Sequence, residues 1–256
     1  MPGVDDRWAL FLDVDGTLLD FADHPDHVCV DSRLRELVED LYGALDGALA
    51  LVSGRGLDDL DDLFGHPPWA MAGLHGLELR GADGRYRGVH IGASRRSLVR
   101  DIASSIVAEL PGVMLEDKGM AVALHCRTSP QMFERLRERV QNVLPSLAGY
   151  EMQPGNLVIE LKPEGMDKGS AVATLMSAWP FRDRLPVYVG DDLTDEHGFA
   201  TANLQNGLSV RVGSREPSVA RYSLPEPAAA RAWLFRVLHA LKHGALAHAH
   251  SSGGNA

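Results

Sequence analysis

A short apolar segment, Ala9 to Leu12, ends at two aspartates one residue apart, Asp13 and Asp15. An unbroken apolar run of this length is typical of a strand buried on both faces of a parallel sheet. Ligands of open parallel sheets bind at the carboxyl ends of the strands, which is where Asp13 falls. Gly16 permits a tight turn there, and Thr17 adds a hydroxyl. An Asp-Gly turn alone would explain Asp15 but not Asp13, so we expect a functional site.

Strand and helix patterns alternate up to Gly76 and again from Lys168 onward, which predicts an α/β fold. The middle of the chain instead shows hairpins and two helices, the second with Ser129 as its expected cap. We therefore predict a Rossmann-like parallel-sheet core with an inserted α+β cap domain. The predicted parts are a core of residues 1–78 and 164–246, a cap of residues 79–163 and a disordered tail of residues 247–256.

Composition limits the partners. The net charge of −10 over 256 residues argues against binding to nucleic acid or to an anionic membrane. Cys29 and Cys126 are far apart and lack metal-ligand spacing, so neither a disulfide framework nor a zinc site is supported. No apolar stretch approaches the roughly 20 residues of a membrane span, and residues 1–7 lack the apolar segment of a signal peptide. We expect a cytoplasmic monomer that acts on a small molecule.

A second acidic cluster, Asp191, Asp192 and Asp195, follows another apolar strand near the end of the chain. If adjacent strands bring the two clusters together, carboxylates about 5 Å apart repel by about 3 kcal/mol per pair at an effective dielectric near 20. A solvated acidic loop would explain one cluster, but two at strand ends favour a shared cation. Mg²⁺, a hard cation with oxygen ligands, satisfies this need.

Two further features suit a phosphate. Ser53, Gly54 and Arg55 follow a strand and precede a helix, where a hydroxyl and backbone N–H groups can bind phosphate oxygens. Lys168 opens a helix, a position unfavourable for a cation unless an anion lies nearby. A serine in an ordinary turn and a surface lysine are the simpler alternatives.

Taken together and in order, these motifs resemble those of the haloacid dehalogenase superfamily of phosphohydrolases, and the place of the insertion resembles its C2 type of cap. Other stretches resemble the trehalose-6-phosphate phosphatases. These are His24-Pro-Asp26, Gly73-Leu-His-Gly76, Leu115 to His125, Val158 to Pro163 and Gly190 to Glu196.

The resemblance implies a role for each residue. Asp13 would be the nucleophile, ionised with an ordinary pKa near 4, and would form an aspartyl-phosphate. Asp15 would protonate the departing sugar oxygen and then activate water. Mg²⁺ would be held by the Asp13 carboxylate, the Asp15 carbonyl and Asp191. The expected helpers are Lys168 and Ser53 in catalysis, and Asp192 and Asp195 in orienting the metal waters and Lys168.

Sugar recognition is expected in the cap, where the resemblance assigns it to Glu116, Lys118 and Glu160. Solvent-facing strand charge is the alternative for these three residues. Arg55 and His75 are further candidates for substrate binding, although a histidine between glycines can simply bond a backbone carbonyl. The group His24, Asp26 and His27 imitates a second metal site, but an ordinary loop is the preferred interpretation.

The resemblance thus implies Mg²⁺-dependent hydrolysis of trehalose 6-phosphate, the last step of trehalose biosynthesis, with a possible transient contact with the synthase. Two alternatives stay open at this point. One is a phosphatase of the same superfamily with another sugar phosphate, such as sucrose phosphate, as substrate. The other is a non-catalytic receiver domain that carries phosphate on an aspartate as a signal.

Overall fold

The computed structural model describes residues 3–20, 29–88 and 91–251, with side chains as far as residue 243. His24, Asp26 and His27 lie outside the described residues, as do residues 252–256 and the side chains of residues 244–251. The chain divides into two compact units. The core unit comprises Met1–Arg87 and Asp167–Ala256, and the inserted unit comprises Gly88–Met166.

Strands and helices follow one another in the order that the sequence predicts for most of the chain. They are β1 (Trp8–Leu12), α1 (Ser32–Ala44), β2 (Leu49–Val52), α2 (Leu57–Phe64), β3 (Ala70–Gly73), β4 (Glu78–Arg80), β5 (Tyr86–Gly88), α3 (Ala93–Glu109), β6 (Met114–Asp117), β7 (Val122–His125), α4 (Phe133–Val143), β8 (Tyr150–Gly155), β9 (Val158–Pro163), α5 (Lys168–Met176), β10 (Leu185–Gly190), α6 (Asp195–Leu204), β11 (Leu208–Val212), β12 (Tyr222–Leu224) and α7 (Pro227–Ser251).

The core sheet has the order β12-β11-β10-β1-β2-β3-β4-β5. Neighbours from β12 to β3 pair in parallel, and β4 adds antiparallel to β3. The chain leaves β1 toward β2 on one side and returns to β10 on the other, so the topological switch point lies between β1 and β10. Ligands of doubly wound sheets bind at that point, outside the carboxyl ends of the strands. The Rossmann-like core that the sequence predicts is confirmed.

Helices cover this sheet because their apolar residues recur at helical spacing. In α1, Leu34, Leu37, Val38 and Leu41 are buried, and the side chain of Asp31 accepts a hydrogen bond from the Leu34 N–H as the N-terminal cap. Helix α1 packs against α7, and α5 packs against α6. Helix α7 extends to Ser251 and so includes residues 247–251, which we placed in a disordered tail from the sequence.

The inserted unit is a four-stranded antiparallel sheet in the order β6-β7-β9-β8, together with α3 and α4. One face of the sheet packs on the helices through side chains such as Leu124, Ile159, Ile106 and Leu136. Since side chains alternate along a strand, the polar residues between them occupy the other face. This unit is the α+β insertion that the sequence predicts.

Three details differ from the sequence predictions. The hairpin β4–β5, which we assigned to the cap, extends the core sheet, so the inserted unit begins at Gly88 rather than at residue 79. Strand β12 was not predicted from the sequence. Ser129 precedes a single 3-10 turn, Pro130–Met132, and its side chain makes no capping hydrogen bond.

Two expectations about the chain as a whole can be compared with the structure. In the described part of the chain, no helix combines the length and the apolar character needed to cross a membrane. Cys29 is exposed, Cys126 is buried, and both are free thiols.

Candidate active site

Two acidic strand ends meet at the switch point of the core sheet. Asp13 follows β1 and Asp191 follows β10, and the Asp13 N–H donates to the Val189 carbonyl at 2.9 Å, which continues the pairing of the two strands. One oxygen each of Asp13, Asp191 and Asp195 lies within 4.8 Å of the other two. The structure thus brings together carboxylates from opposite ends of the sequence, as the predicted parallel sheet requires.

Lys168 is the buried cation of this cluster. Its ammonium donates to Asp13 Oδ1 at 2.7 Å and to Asp195 Oδ1 at 2.6 Å, and the residue is 3% exposed. Burial alone would lower the pKa of Lys168, but the charges and hydrogen bonds of Asp13 and Asp195 outweigh it and hold that pKa well above its ordinary value. Lys168 is the first residue of helix α5, and Asp167 is the N-terminal cap of that helix. Lys168 is therefore a charged counter-ion and not a surface lysine.

Asp195 is held by four hydrogen bonds. Its Oδ1 accepts from Lys168 and from the Tyr188 hydroxyl at 2.7 Å, while its Oδ2 accepts from the backbone N–H groups of Asp191 and Asp192 at 3.0 Å each. This close approach needs Gly190, because a Cβ there would overlap the carboxyl group of Asp195. Asp195 thus fixes the positions of Lys168 and of the loop after β10.

The cluster carries more negative charge than one ammonium balances. Burial and the charge of Asp195, opposed by Lys168, raise the pKa of Asp13 to about 7. Burial and the charges of Asp13 and Asp195 raise the pKa of Asp191 to about 9. Without a cation, the crowding of buried carboxylates therefore places the pKa of Asp13 above the ordinary value near 4 that we assumed from the sequence.

This donor set fits a small divalent cation. Hard cations such as Mg²⁺ take oxygen ligands, and a cation between the carboxylates would favour their ionised forms. The four hydrogen bonds to Asp195 occupy both of its oxygens, so Asp13 and Asp191 are the carboxylates suited to bind metal. Thr17 Oγ1 donates to Asp191 Oδ1 at 3.2 Å and so orients this carboxylate.

Arg55 forms a bidentate ion pair with Asp15. Its Nε donates to Asp15 Oδ2 at 2.7 Å and one terminal nitrogen donates to Asp15 Oδ1 at 2.8 Å. Arg55, which we predicted as a phosphate ligand, therefore lies beside the candidate general acid. Ser53 follows β2, the strand next to β1, is 1% exposed and accepts a hydrogen bond from the Arg55 N–H at 3.1 Å.

His75 lies against the same loop. It sits in a left-handed turn in which Leu74, His75 and Gly76 all have positive φ angles, of 48°, 56° and 99°. The His75 N–H donates to the Ser53 carbonyl and the Leu74 N–H to the Arg55 carbonyl. The imidazole covers Gly54 so closely that a Cβ there would be 2.7 Å from His75 Cε1. Such strain in non-glycine residues is typical of functional sites.

In the inserted unit, Glu116, Lys118 and Glu160 gather at the polar face of the sheet. Lys118 Nζ lies 3.1 Å from Glu160 Oε1, and Glu160 is 5% exposed. Glu116 Oε2 is 2.7 Å from His125 Nε2. The strand charges that we predicted for sugar binding thus form paired, partly buried groups.

Three residues of these networks were missed from the sequence. Tyr188 lies within an apolar strand, where an aromatic residue indicates core packing. His125 had no assigned role. Arg215 donates to the Asp191 and Asp192 carbonyls at 3.4 and 3.1 Å and to Glu196 Oε1 at 2.5 Å. An arginine in a loop belongs to no helical or strand periodicity that would mark it in the sequence. Only the acidic stretch Asp192 to Asp195 could have suggested that an arginine binds there.

Comparison with known proteins gives a consistent family. A family model described as trehalose-phosphatase matches residues 11–228. The trehalose-6-phosphate phosphatase of Escherichia coli K12 is 41% identical over 219 residues, which cover 83% of this chain and 80% of that protein. This match extends through both the core unit and the inserted unit.

Solved structures agree on the fold. The C-terminal domain of Candida albicans trehalose-6-phosphate phosphatase has a TM-score of 0.81 at 21% identity, covering 91% of this chain and 93% of that chain. A phosphatase of the haloalkanoate (HAD) superfamily from Bacteroides thetaiotaomicron has a TM-score of 0.58 at 20% identity, covering 91% and 93%. The chain therefore belongs to the trehalose-phosphatase family and has the haloacid dehalogenase-like fold.

Proposed function

We propose that this protein hydrolyses trehalose 6-phosphate to trehalose and phosphate, with Mg²⁺ bound and with a covalent phosphate on Asp13. The observation that carries the proposal is the cluster at the switch point, where Lys168 bonds Asp13 and the oxygens of Asp13, Asp191 and Asp195 lie within 4.8 Å of one another. The family match supports the substrate. A non-catalytic receiver domain has no support, because the matched family is one of phosphatases.

Asp13 attacks the phosphorus atom, and the bond from phosphorus to the sugar oxygen breaks. Lys168 engages Asp13 Oδ1, which orients the carboxylate and leaves its second oxygen for the attack. Asp15 gives a proton to the departing sugar oxygen, so that trehalose leaves as a neutral alcohol. The first half-reaction ends with phosphate on Asp13 and with Asp15 ionised.

In the second half-reaction, the ionised Asp15 takes a proton from water, and the resulting nucleophile attacks phosphorus. The bond between phosphorus and Asp13 breaks, phosphate leaves, and Asp15 is protonated again. Because both oxygens of Asp15 accept from Arg55 in this structure, that ion pair has to open for Asp15 to transfer protons.

Asp13 and Asp191, with the main-chain carbonyl of Asp15, are the groups that would hold Mg²⁺. When bound, the ion supplies positive charge that stabilises the ionised nucleophile and the charge developing on the phosphoryl oxygens. Ser53 and Arg55 add a hydroxyl and a guanidinium for the phosphate. Glu116, Lys118 and Glu160 of the inserted unit recognise the sugar.

Phosphate release from trehalose 6-phosphate, sucrose 6-phosphate and glucose 6-phosphate, each measured with MgCl₂ and with EDTA, tests the proposal. We expect rapid release from trehalose 6-phosphate only, and its loss in EDTA. Similar rates for all three sugars would favour a broad sugar-phosphate phosphatase, and full activity in EDTA would contradict the role of Mg²⁺.

Variants test the covalent step. Asp13→Asn should abolish both turnover and labelling of the protein by substrate phosphate, because an amide is a poor nucleophile. Asp15→Asn should slow both half-reactions by about 10²- to 10⁴-fold, the typical contribution of a positioned acid or base. Turnover by Asp13→Asn at the wild-type rate would contradict the assignment.

The expected cytoplasmic location, monomeric state and transient contact with the synthase stay predictions. Gel filtration and co-purification with the synthase would test the last two directly.

A further inference from the structure

The polar face of the inserted unit is built in register across four strands. Glu116 pairs with Ala123, Ala123 with Glu160, and Glu160 with Gln153, so these residues form one row across β6, β7, β9 and β8. His125 lies two residues beyond Ala123 on β7, and therefore on the same face. The row contains two of the residues proposed to recognise the sugar, and His125 stands beside it.

His125 reaches Glu116 diagonally across the β6–β7 pair. Diagonal neighbours in an antiparallel pair are about 7–8 Å apart at Cα, within reach of aromatic and long side chains. The residue directly opposite Glu116 is Ala123, whose methyl group leaves room for the imidazole. His125 Nε2 consequently lies 2.7 Å from Glu116 Oε2.

The direction of this hydrogen bond follows from charge. A glutamate carboxylate with an ordinary pKa is already ionised at neutral pH and can only accept. The hydrogen bond from His125 lowers the pKa of Glu116 further. The His125 Nε2–H therefore donates. One carboxylate oxygen is engaged, and a carboxylate can accept about four hydrogen bonds in all, so Glu116 keeps capacity for a hydroxyl.

The hydrogen bond from His125 reduces the conformational freedom that the Glu116 side chain would lose on binding a ligand. A free glutamate side chain has many rotamers, and fixing one of them on binding costs affinity. His125 is 18% exposed and Glu116 is 38% exposed, so the more buried ring anchors the more accessible carboxylate. Glu160 has a comparable partner in Lys118 on the same face.

We propose that His125 is a specificity-determining positioning residue, which holds Glu116 ready to accept a hydroxyl of the sugar. His125 acts through Glu116 and takes no part in phosphoryl transfer. The inference rests on the proposed function, because it assigns Glu116 to the sugar part of the substrate. It also predicts that sugar phosphates and small aryl phosphates respond differently to changes at His125.

The test compares wild type, His125→Ala, His125→Gln, Glu116→Ala and the double variant His125→Ala/Glu116→Ala. Each is assayed with trehalose 6-phosphate and with p-nitrophenyl phosphate. We expect His125→Ala to lower kcat/KM for trehalose 6-phosphate by about tenfold or more, mainly through KM, the size expected for a hydrogen bond to a charged group. Turnover of p-nitrophenyl phosphate should stay within about twofold.

Two further results separate positioning from a general structural role. His125→Gln, whose amide can donate to Glu116, should recover much of the loss. In the Glu116→Ala background, His125→Ala should have no further effect, since a residue that acts through Glu116 cannot act without it. Arg139→Ala is the matched control, because it breaks an ion pair with Glu109 on the exposed helical side of the same unit.

Equal losses with both substrates, additive effects in the double variant, or an unchanged His125→Ala would each overturn the inference while leaving the proposed function intact. A wild-type protein that releases phosphate from p-nitrophenyl phosphate but not from trehalose 6-phosphate would contradict the proposed function, and the inference would fall with it.

Discussion

Lys168 Nζ donates a hydrogen bond to Asp13 Oδ1 at 2.7 Å, although 155 positions separate the two residues in the sequence. Lys168 belongs to the second segment of the core unit and Asp13 to the first, and the inserted unit lies between them along the chain. The bond is buried on both sides, with Lys168 3% and Asp13 4% exposed. It therefore depends on correct assembly of the two core segments.

Replacing Lys168 by methionine should both inactivate and destabilise the protein. The substitution keeps the length of the side chain but leaves Asp13 and Asp195 without their cation. Breaking a buried ion pair by removing one partner typically costs about 3–5 kcal/mol in the free energy of unfolding. Urea denaturation in EDTA measures this cost, and phosphate release measures the activity.

Lys242→Met is the control for Lys168→Met. Lys242 forms an ion pair with Asp40 in which both side chains are about half exposed. Exposed pairs contribute about 0–1 kcal/mol, so this variant should match wild type in stability and activity. Equal destabilisation by the two substitutions would show that the buried ion pairs of Lys168 contribute no more to the free energy of unfolding than an exposed pair does.

The raised pKa values of Asp13 and Asp191 predict how stability depends on pH without a cation. Each carboxyl binds its proton more tightly in the folded state than in the unfolded state, so the stability it contributes is full below the unfolded pKa of 3.8. That contribution is lost as pH rises through the folded pKa, about 7 for Asp13 and about 9 for Asp191. In EDTA, stability should therefore fall from about pH 4 to about pH 9.

Mg²⁺ should oppose this fall, because a cation binds the ionised carboxylates and competes with protons. The increase in Tm caused by MgCl₂ should be larger at about pH 8.5 than at about pH 5.5. Asp191→Asn should reduce both the fall in EDTA and the effect of MgCl₂. A magnesium effect that is the same at both pH values would contradict the assignment of these carboxylates as ligands.

Much of the site was predictable because strand ends carry chemical information. The apolar runs before Asp13 and Asp191 indicated buried parallel strands, and the rules of such sheets place their carboxyl ends together. Asp167 and Lys168 were recognisable from helix capping and the helix dipole. These inferences need only local patterns and one rule of topology.

The remainder depends on register and packing, which local patterns do not contain. That His125 meets Glu116 follows from which residues of β6 and β7 face each other. The hairpin β4–β5 has the same antiparallel pattern as the strands of the inserted unit. The alternation of polar and apolar residues therefore could not predict that β4 pairs with β3. The pKa of Asp13 depends on how many charges surround it in three dimensions.

Arg215 should control the affinity for Mg²⁺ by holding the loop that carries Asp191. Its guanidinium binds the carbonyls of Asp191 and Asp192 and pairs with Glu196. Partners of this kind typically change metal affinity by about 10- to 100-fold when removed. Arg215→Met should therefore weaken Mg²⁺ binding by this factor in isothermal titration calorimetry, and kcat at saturating Mg²⁺ should change much less.

Arg221→Met is the matched control for Arg215→Met. Arg221 also donates to two backbone carbonyls, those of Gly207 and Asn203, but neither belongs to the loop after β10. Mg²⁺ affinity should stay at the wild-type value in this variant. The same weakening in both variants would mean that Arg215 acts through overall stability and not through the position of Asp191.

Gly54→Ala should disturb the loop of Ser53, Gly54 and Arg55, the candidate phosphate site, through a clash with His75. A Cβ at residue 54 would lie 2.7 Å from Cε1 and 2.8 Å from Nε2 of the imidazole, well inside van der Waals contact. Either the ring or the backbone between Ser53 and Arg55 has to move. Since a displacement of about 1 Å at a catalytic group can cost about 10²-fold in rate, we expect a loss of that order in kcat/KM.

The cause can be separated from the consequence by removing the ring. His75→Gly suits the left-handed backbone at this position, where φ is 56°, and eliminates the atoms that the new methyl group meets. The double variant Gly54→Ala/His75→Gly should therefore be more active than the sum of the two single effects predicts. Simple additivity would mean that the alanine acts through backbone conformation alone, and that the close packing of His75 on Gly54 does not keep the loop in its active form.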